Sequence, residues 1–462
     1  MRPRAAWSLA CAAPLLFGLS GCTAFPHLVP DLDTRPRAAV PLEGSHGPLP
    51  AARSQAILAR LASRGEPTNI FDRHLAVEEA IVGSPLTAGN RVTLLQNGPA
   101  TYEAMFAAIA SAHDHIHLET YILDDDEIGR RFADALIAKQ QQGVQVNVIR
   151  DSVGTIRTPS AFFARLTAAG IHVLEFNPLN PLTTRRAWEL NQRDHRKLLV
   201  VDGRSAILGG INISSVYSGG SFGRAKAAAS GGVAAWRDTD LQLEGPVVAE
   251  LQKLFLAAWR SQNGPPLAEK NWFPPPERAG NQVVRAIGSS PEEPFSLIYA
   301  TLLSAIACAE TSVHLTNAYF APDPQLLDAL EAAAARGVDV TLILPGQTDS
   351  WLVFQAGHAS FDRLLAAGVK IFERRGVVLH SKTVLVDGVW ATVGSTNLDW
   401  RSFLHNHELN AVVLGTEFGA QVQAMFDRDL AASDQITLVQ WRARGLLPRL
   451  KEQFSRAWEY WL

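Results

Sequence analysis

The stretch His195-Arg196-Lys197-Leu198-Leu199-Val200-Val201-Asp202, with Gly209, Gly210 and Asn212 behind it, decides the reading of this chain because it occurs twice. It returns as His380-Ser381-Lys382-Thr383-Val384-Leu385-Val386-Asp387, with Gly394, Ser395 and Asn397 behind it. In both copies Lys follows His by two residues, Asp by seven and Asn by seventeen. A lone histidine before an apolar run is ordinarily structural, whereas a duplicate at the same offsets reads as a site built from two copies. The largely apolar run after His-x-Lys predicts a buried strand, in which residues two apart share a face. Each imidazole then stands beside its own ammonium. Such a pair suits a phosphate: the ring nitrogen attacks phosphorus while the cation neutralises the non-bridging oxygens, so no metal or cofactor is expected. Two copies supply one histidine to attack and one to protonate the departing oxygen. Asp202 and Asp387 precede Gly203 and Gly388, so an Asp-Gly turn explains them locally as scaffolding that fixes a loop.

Outward from the motifs the repeat widens. Leu166-Thr167-Ala168-Ala169-Gly170-Ile171 matches Leu364-Leu365-Ala366-Ala367-Gly368-Val369. In the first half the spacing predicts strands over 91–95, 115–121, 144–149 and 171–176, with helices over 101–112, 128–141 and 160–169. The second half repeats the order, with helices over 297–309, 324–335 and 361–367 and strands over 313–316 and 338–344. Alternating strands and helices of this length predict an α/β fold of two related halves, 54–262 and 281–440, with mixed sheets covered by helices. The stretch 263–280, crowded with Pro265, Pro266, Pro274, Pro275 and Pro276, reads as the linker between them. The run 214–232, rich in Gly, Ala and Ser, is either a surface loop or a mobile flap over the site.

At 462 residues, 47% hydrophobic and 19% charged, the composition is that of a globular protein. A net charge of -3 argues against a general nucleic-acid binder. Residues 1–21 read as a secretory signal: Arg2 and Arg4, an apolar core, then Leu19-Ser20-Gly21-Cys22. That tetrapeptide resembles a bacterial lipobox, which makes Cys22 the expected lipid anchor. With Thr23 after it, the resemblance points in a Gram-negative envelope to the periplasmic face of the outer membrane. Residues 22–53, rich in Pro and Ala, read as a tether. Cys308 remains as a small core residue, so no internal disulfide is expected. The C-terminal stretch 441–462 mixes basic and aromatic residues; it reads equally as a helix packed on the body or one suited to lipid headgroups. No stretch after Cys22 is long and apolar enough to span a bilayer.

The doubled pattern resembles the H-x-K-x4-D signature of the phospholipase D superfamily. The resemblance implies two tandem α/β/α sandwich halves related by a pseudo-twofold, both His-Lys pairs in one shared active site, and reaction through a covalent phosphohistidine. It counts Lys197, Lys382, Asp202 and Asp387 with the catalytic residues beside His195 and His380, and His195 as the more frequent nucleophile. Asp238, in Trp236-Arg237-Asp238-Thr239-Asp240-Leu241, and Glu408, in Asn406-His407-Glu408-Leu409-Asn410, fall where family members carry a carboxylate that orients a catalytic imidazole. Asn212 and Asn397 are expected to add neutral hydrogen bonds to the phosphoryl oxygens. The stretches 117–123, 243–246, 318–323, 334–340 and 394–402 are most similar to bacterial cardiolipin synthases, a likeness running roughly over 91–441. It implies phosphatidyl transfer between phospholipids, with phosphatidylglycerol as the expected substrate, at a membrane surface. Many members carry N-terminal transmembrane helices, where this chain has a lipobox and tether. Both motifs lie in one chain, so a monomer is expected. Alternatives that use the same residues are a hydrolytic phospholipase D and an envelope nuclease or phosphodiesterase; a non-catalytic envelope binding protein is the remaining reading.

Overall fold

The computed structural model describes residues 40–180, 189, 191–218 and 235–456. The predicted signal, Cys22, most of the tether, most of the 214–232 run and residues 457–462 lie outside the described residues.

The duplication in the letters is a duplication of sheet order. Across the first sheet the strands run His172–Phe176, Gln145–Asp151, His115–Thr120, Leu198–Val201, Ser205–Gly209, Thr239–Glu244 and Leu86–Gln96. Across the second they run Lys370–Arg374, Asp339–Pro345, Ser312–Asn317, Lys382–Val386, Trp390–Gly394, Asn406–Leu414 and Gln282–Ser289. In each sheet the first three strands are parallel and every later pairing is antiparallel. The fold class is therefore the predicted one, α/β with mixed sheets in two related halves. Gly170 and Gly368, equivalent in the repeated letters, both take the left-handed conformation that ends their helices, at φ +88° and +93°.

The strand Leu86–Gln96 joins the sheets: its early residues pair with 282–284 and its later ones with Thr239–Glu244. A bulge marks the change of partner, and Gly89 there stands at φ +99°. The inner faces of the two sheets meet in one core, where Val200, Leu208 and Leu241 pack with Val393, Ala411 and Val413. Each half also has its own outer core beneath helices, one holding Phe132 and Leu166, the other Leu303, Leu330 and Trp390.

Two boundaries differ from the sequence reading. Residues from 40 onward are folded, with Leu42–Gly44 a parallel strand beside Leu86 and a helix over Ala51–Ala62, so residues 40–53 belong to the fold and not to a tether. Residues 40–86 also belong spatially to the second half: Val40, Leu42, Ile70, Leu75 and Leu86 share its outer core, and His74 meets Ser304 at 3.0 Å. Sequence order hid this because the partner face lies more than 200 residues on. At the other end, Trp441 is buried on the body against Phe361, and the exposed C-terminal helix proper is Leu446–Arg456.

Candidate active site

Each motif strand runs antiparallel to the strand beside it, so residues before one and after the other share an edge. Leu198 pairs with Glu119, which puts His195 and Tyr121 at the same rim; Lys382 pairs with Asn317, which does the same for His380 and Tyr319. The two rims face each other across one cleft of about 380 Å³, lined by both histidines with Asn212, Asn397, Tyr121, Tyr319 and Trp236. Residues 185 apart in sequence thus line one pocket.

The halves exchange partners there. His195 of the first half directs Nδ1 at Glu408 of the second, 3.0 and 3.1 Å from its two oxygens. His380 of the second half directs Nδ1 at Asp238 of the first, at 2.6 Å. The main chain crosses in the same way. Arg193–Asp194 runs parallel to Asn406–His407, and the His195 amide donates to His407 O at 3.0 Å. Trp236–Arg237 runs parallel to Val378–Leu379, and the His380 amide donates to Arg237 O at 2.7 Å. The small residues behind the motifs make room for the carboxylates. A Cβ on Gly210 would stand 2.3 Å from Asp238 Oδ1, and at the equivalent place Ser395 donates its hydroxyl to Glu408.

Burial sets the charges. It pushes the His195 imidazole down to about 4, Lys197 and Lys382 adding to the effect and Glu408 opposing it. Burial and Lys382 bring His380 to about 4 against the pull of Asp238. Burial also lowers Lys197 to about 7, with Lys382 contributing, and Lys382 to about 8. Burial would raise Glu408, but His195, Lys197 and Ser395 outweigh it and hold it below its ordinary value. Both imidazoles are therefore neutral at pH 7. A carboxylate only accepts, so each Nδ1 carries the proton and each Nε2 keeps its lone pair.

The lysines stand behind the cleft wall, Lys197 Nζ donating to His195 O at 2.5 Å and Lys382 Nζ to His380 O. Each also lies over an aromatic ring, Lys197 5.3 Å from Tyr121 and Lys382 6.0 Å from Tyr319. Asn212 accepts from the Ile122 amide and donates to Tyr217 Oη at 2.9 Å; Asn397 Oδ1 is buried and has no hydrogen-bond partner among the described residues.

Asp202 and Asp387 correct the list of catalytic residues. Asp202 lies past the far end of its strand, at φ +52°, and accepts the amides of His113, Asp114 and His115 at 2.8–2.9 Å. Asp387 does the same for Glu310, Thr311 and Ser312. Both tie down the start of the neighbouring strand, so the Asp-Gly reading is the structural one. Sequence reasoning passed over Tyr121 and Tyr319, whose signal is that each closes the strand paired with its motif strand. It also passed over Tyr217, whose hydroxyl lies 3.4 Å from His380 Nδ1, and over Arg193, Arg401 and Asp349 on the cleft wall. No group of residues suited to a metal ion occurs among the described residues.

Comparison with known proteins agrees with this duplication. Residues 105–217 and 302–430 match the family described as cardiolipin synthase, PLD-like domain. A cardiolipin synthase of Geobacillus kaustophilus is 35% identical over 377 residues, 80% of this chain and 72% of that one. The major cardiolipin synthase of Bacillus subtilis is 34% identical, over 80% of this chain and 75% of its own. The fold is shared with the phosphatidylserine synthase of Haemophilus influenzae, at a TM-score of 0.61 and 13% identity over 84% of this chain and all of that one. A chain that repeats the family's domain and shares about a third of its aligned residues with these enzymes belongs to the cardiolipin synthase family of the phospholipase D superfamily, and is a phosphatidyltransferase of the phospholipase D type.

Proposed function

We propose that the enzyme is a cardiolipin synthase that moves the phosphatidyl group of one phosphatidylglycerol to the free glycerol hydroxyl of another, releasing glycerol. The observation that carries the reading is the crossed pair of imidazole–carboxylate contacts in one cleft. Glu408 fixes the His195 tautomer with its Nε2 lone pair free, and that nitrogen attacks phosphorus. The P–O bond to the departing glycerol breaks, and His380 gives that oxygen its proton. The acceptor hydroxyl then returns a proton to His380 and attacks phosphorus, and the P–N bond to His195 breaks.

His380, held near 4 in the empty cleft, must be charged before it can act as an acid. The substrate supplies the means. A diester anion beside the ring favours the imidazolium and so raises the affinity of His380 for a proton. The same anion favours the charged form of Lys197 and Lys382, which neutralise the phosphoryl oxygens, and Asn212 and Asn397 add neutral donors. Tyr121, Tyr217, Trp236 and Tyr319 make the walls aromatic, which favours a lipid hydroxyl over water as acceptor.

Lipid chromatography of cells expressing the protein or its His195→Ala variant tests the reading: cardiolipin rises with the first and stays at background with the second. Unchanged lipids in both strains sink it, and phosphatidic acid in place of cardiolipin makes the enzyme a hydrolase. The enzyme is anchored in the envelope through acylated Cys22, on the periplasmic face of the outer membrane in a Gram-negative cell. Labelled palmitate incorporated into the protein but not into Cys22→Ala is the expected result.

A further inference from the structure

Seven of the ten large apolar side chains exposed among the described residues fall within 351–352 and 439–454. The helix Leu446–Arg456 accounts for four of them, and it lies the wrong way round for a globular protein. Its polar side packs inward: Glu452 and Ser455 are buried, Glu452 paired with Arg444 at 2.5 Å. Its apolar side faces out, with Leu446 76%, Leu447 73%, Leu450 64% and Phe454 59% exposed. An amphipathic helix in water turns the other way, because each buried leucine-sized side chain stabilises a fold by about 1.5–3 kcal/mol. Its one acid is the buried Glu452, while Arg449, Lys451 and Arg456 stand exposed beside the leucines.

This helix is seated on Trp351–His358, where Trp351 and Leu352 are also exposed. That second helix reaches the cleft: Asp349, Ser350 and Val353 line its wall beside Tyr319. An apolar pocket lined by Leu344, Phe354 and Phe361 shares Tyr319 and Val353 with the cleft. An outward apolar and basic face is thus carried by a helix packed directly on one that lines the cleft.

We propose that Leu446–Arg456, with Trp351 and Leu352, is the surface on which the enzyme settles against an anionic phospholipid bilayer, its leucines among the acyl chains and its arginines and lysine at the phosphates. This rests on the reading that the substrate is a bilayer phospholipid. The geometry of the helix pair then sets the orientation of the cleft toward the headgroups.

The test uses the full chain on vesicles of phosphatidylglycerol and phosphatidylcholine. An environment-sensitive label on Leu450→Cys, with the unsubstituted chain as blank, shifts to the blue and is quenched by lipids brominated on their acyl chains. The same label on Glu103→Cys, on an exposed helix of the first half, does neither. Leu446→Ser, Leu450→Ser and Phe454→Ser together lower transfer on vesicles about tenfold and leave transfer on a monomeric short-chain phosphatidylglycerol within about twofold, as expected when only apolar contact with the bilayer is removed. A Leu450 label that brominated lipids do not quench overturns the proposal, whether a second copy covers it, seen as a blue shift that grows with protein concentration, or the chain's own last residues do. So does a triple variant that works on vesicles as well as the parent. Quenching retained by a protein with no transferase activity leaves the docking face standing and removes the synthase reading instead.

Discussion

The crossed carboxylates make the two halves chemically unequal, and Glu408→Gln against Asp238→Asn exposes the difference. Glutamine keeps the volume of Glu408 and removes its charge. The carboxylate accepts from His195 Nδ1 at 3.0 and 3.1 Å and is fully buried. A hydrogen bond to a charged group of this kind contributes about 1.5–3 kcal/mol, one to two powers of ten in rate. The amide adds a second injury, since its NH2 can donate to Nδ1 and drive the ring proton onto Nε2, the nitrogen that attacks. In serine-protease triads that error costs about 10⁴ in kcat. We expect kcat for Glu408→Gln to fall by about 10³-fold, with kcat/KM falling in proportion because the contact matters in the transition state rather than in binding. Asp238→Asn also slows turnover of natural lipid, by depriving His380 of its partner at 2.6 Å. The two separate on a phosphatidyl ester of p-nitrophenol, whose leaving group needs no proton. Rapid mixing should show Asp238→Asn releasing a near-stoichiometric burst of nitrophenolate and then stalling, while Glu408→Gln shows no burst. A normal burst from Glu408→Gln refutes the assignment of His195, and an inverted pattern transfers the nucleophile's role to His380.

Asp202→Ala removes the acceptor of three backbone amides and nothing from the cleft, so thermal unfolding should show a loss of about 2–4 kcal/mol while kcat of the folded fraction stays within about twofold. A kcat reduced a hundredfold at unchanged stability returns Asp202 to the chemistry. Gly210→Ala places a methyl 2.3 Å from Asp238 Oδ1, so the carboxylate must leave His380, and transfer should drop at least about tenfold with the fold retained by circular dichroism. For pH, the lysines at about 7 and about 8 are charged below those values and neutral above, so kcat/KM should fall as pH rises through 7–8, with kcat holding to higher pH because bound diester favours the ammonium. The unfolded chain keeps those two protons up to about 10.5, so their contribution to stability rises over the same window in which activity declines. A kcat/KM flat to pH 10 removes the buried lysines from substrate binding.

Much of the fold was open to reading in one dimension because it was present twice. The repeated Ala-Ala-Gly helix ends and the two His-x-Lys strands are local patterns, set by side-chain periodicity and by the turn a glycine allows, and the structure places them in two sheets of identical strand order. Residues 40–86 were misassigned for the converse reason. Leu42, Ile70 and Leu75 carry no mark of the surface they bury against, and that surface is encoded hundreds of residues later.

At the site the division is sharper. The composition of the chemistry, two imidazoles, two ammonium groups, two carboxylates and two amides, was determined by the residues alone, since it needs only the right side chains at repeating offsets. Which carboxylate serves which imidazole was decided by tertiary structure. Two short parallel pairings, Arg193–Asp194 with Asn406–His407 and Trp236–Arg237 with Val378–Leu379, carry each histidine across to the other half. Register between strands so distant in sequence depends on the packing of whole sheets, and so do the depressed affinities for protons, which follow from the water that packing excludes.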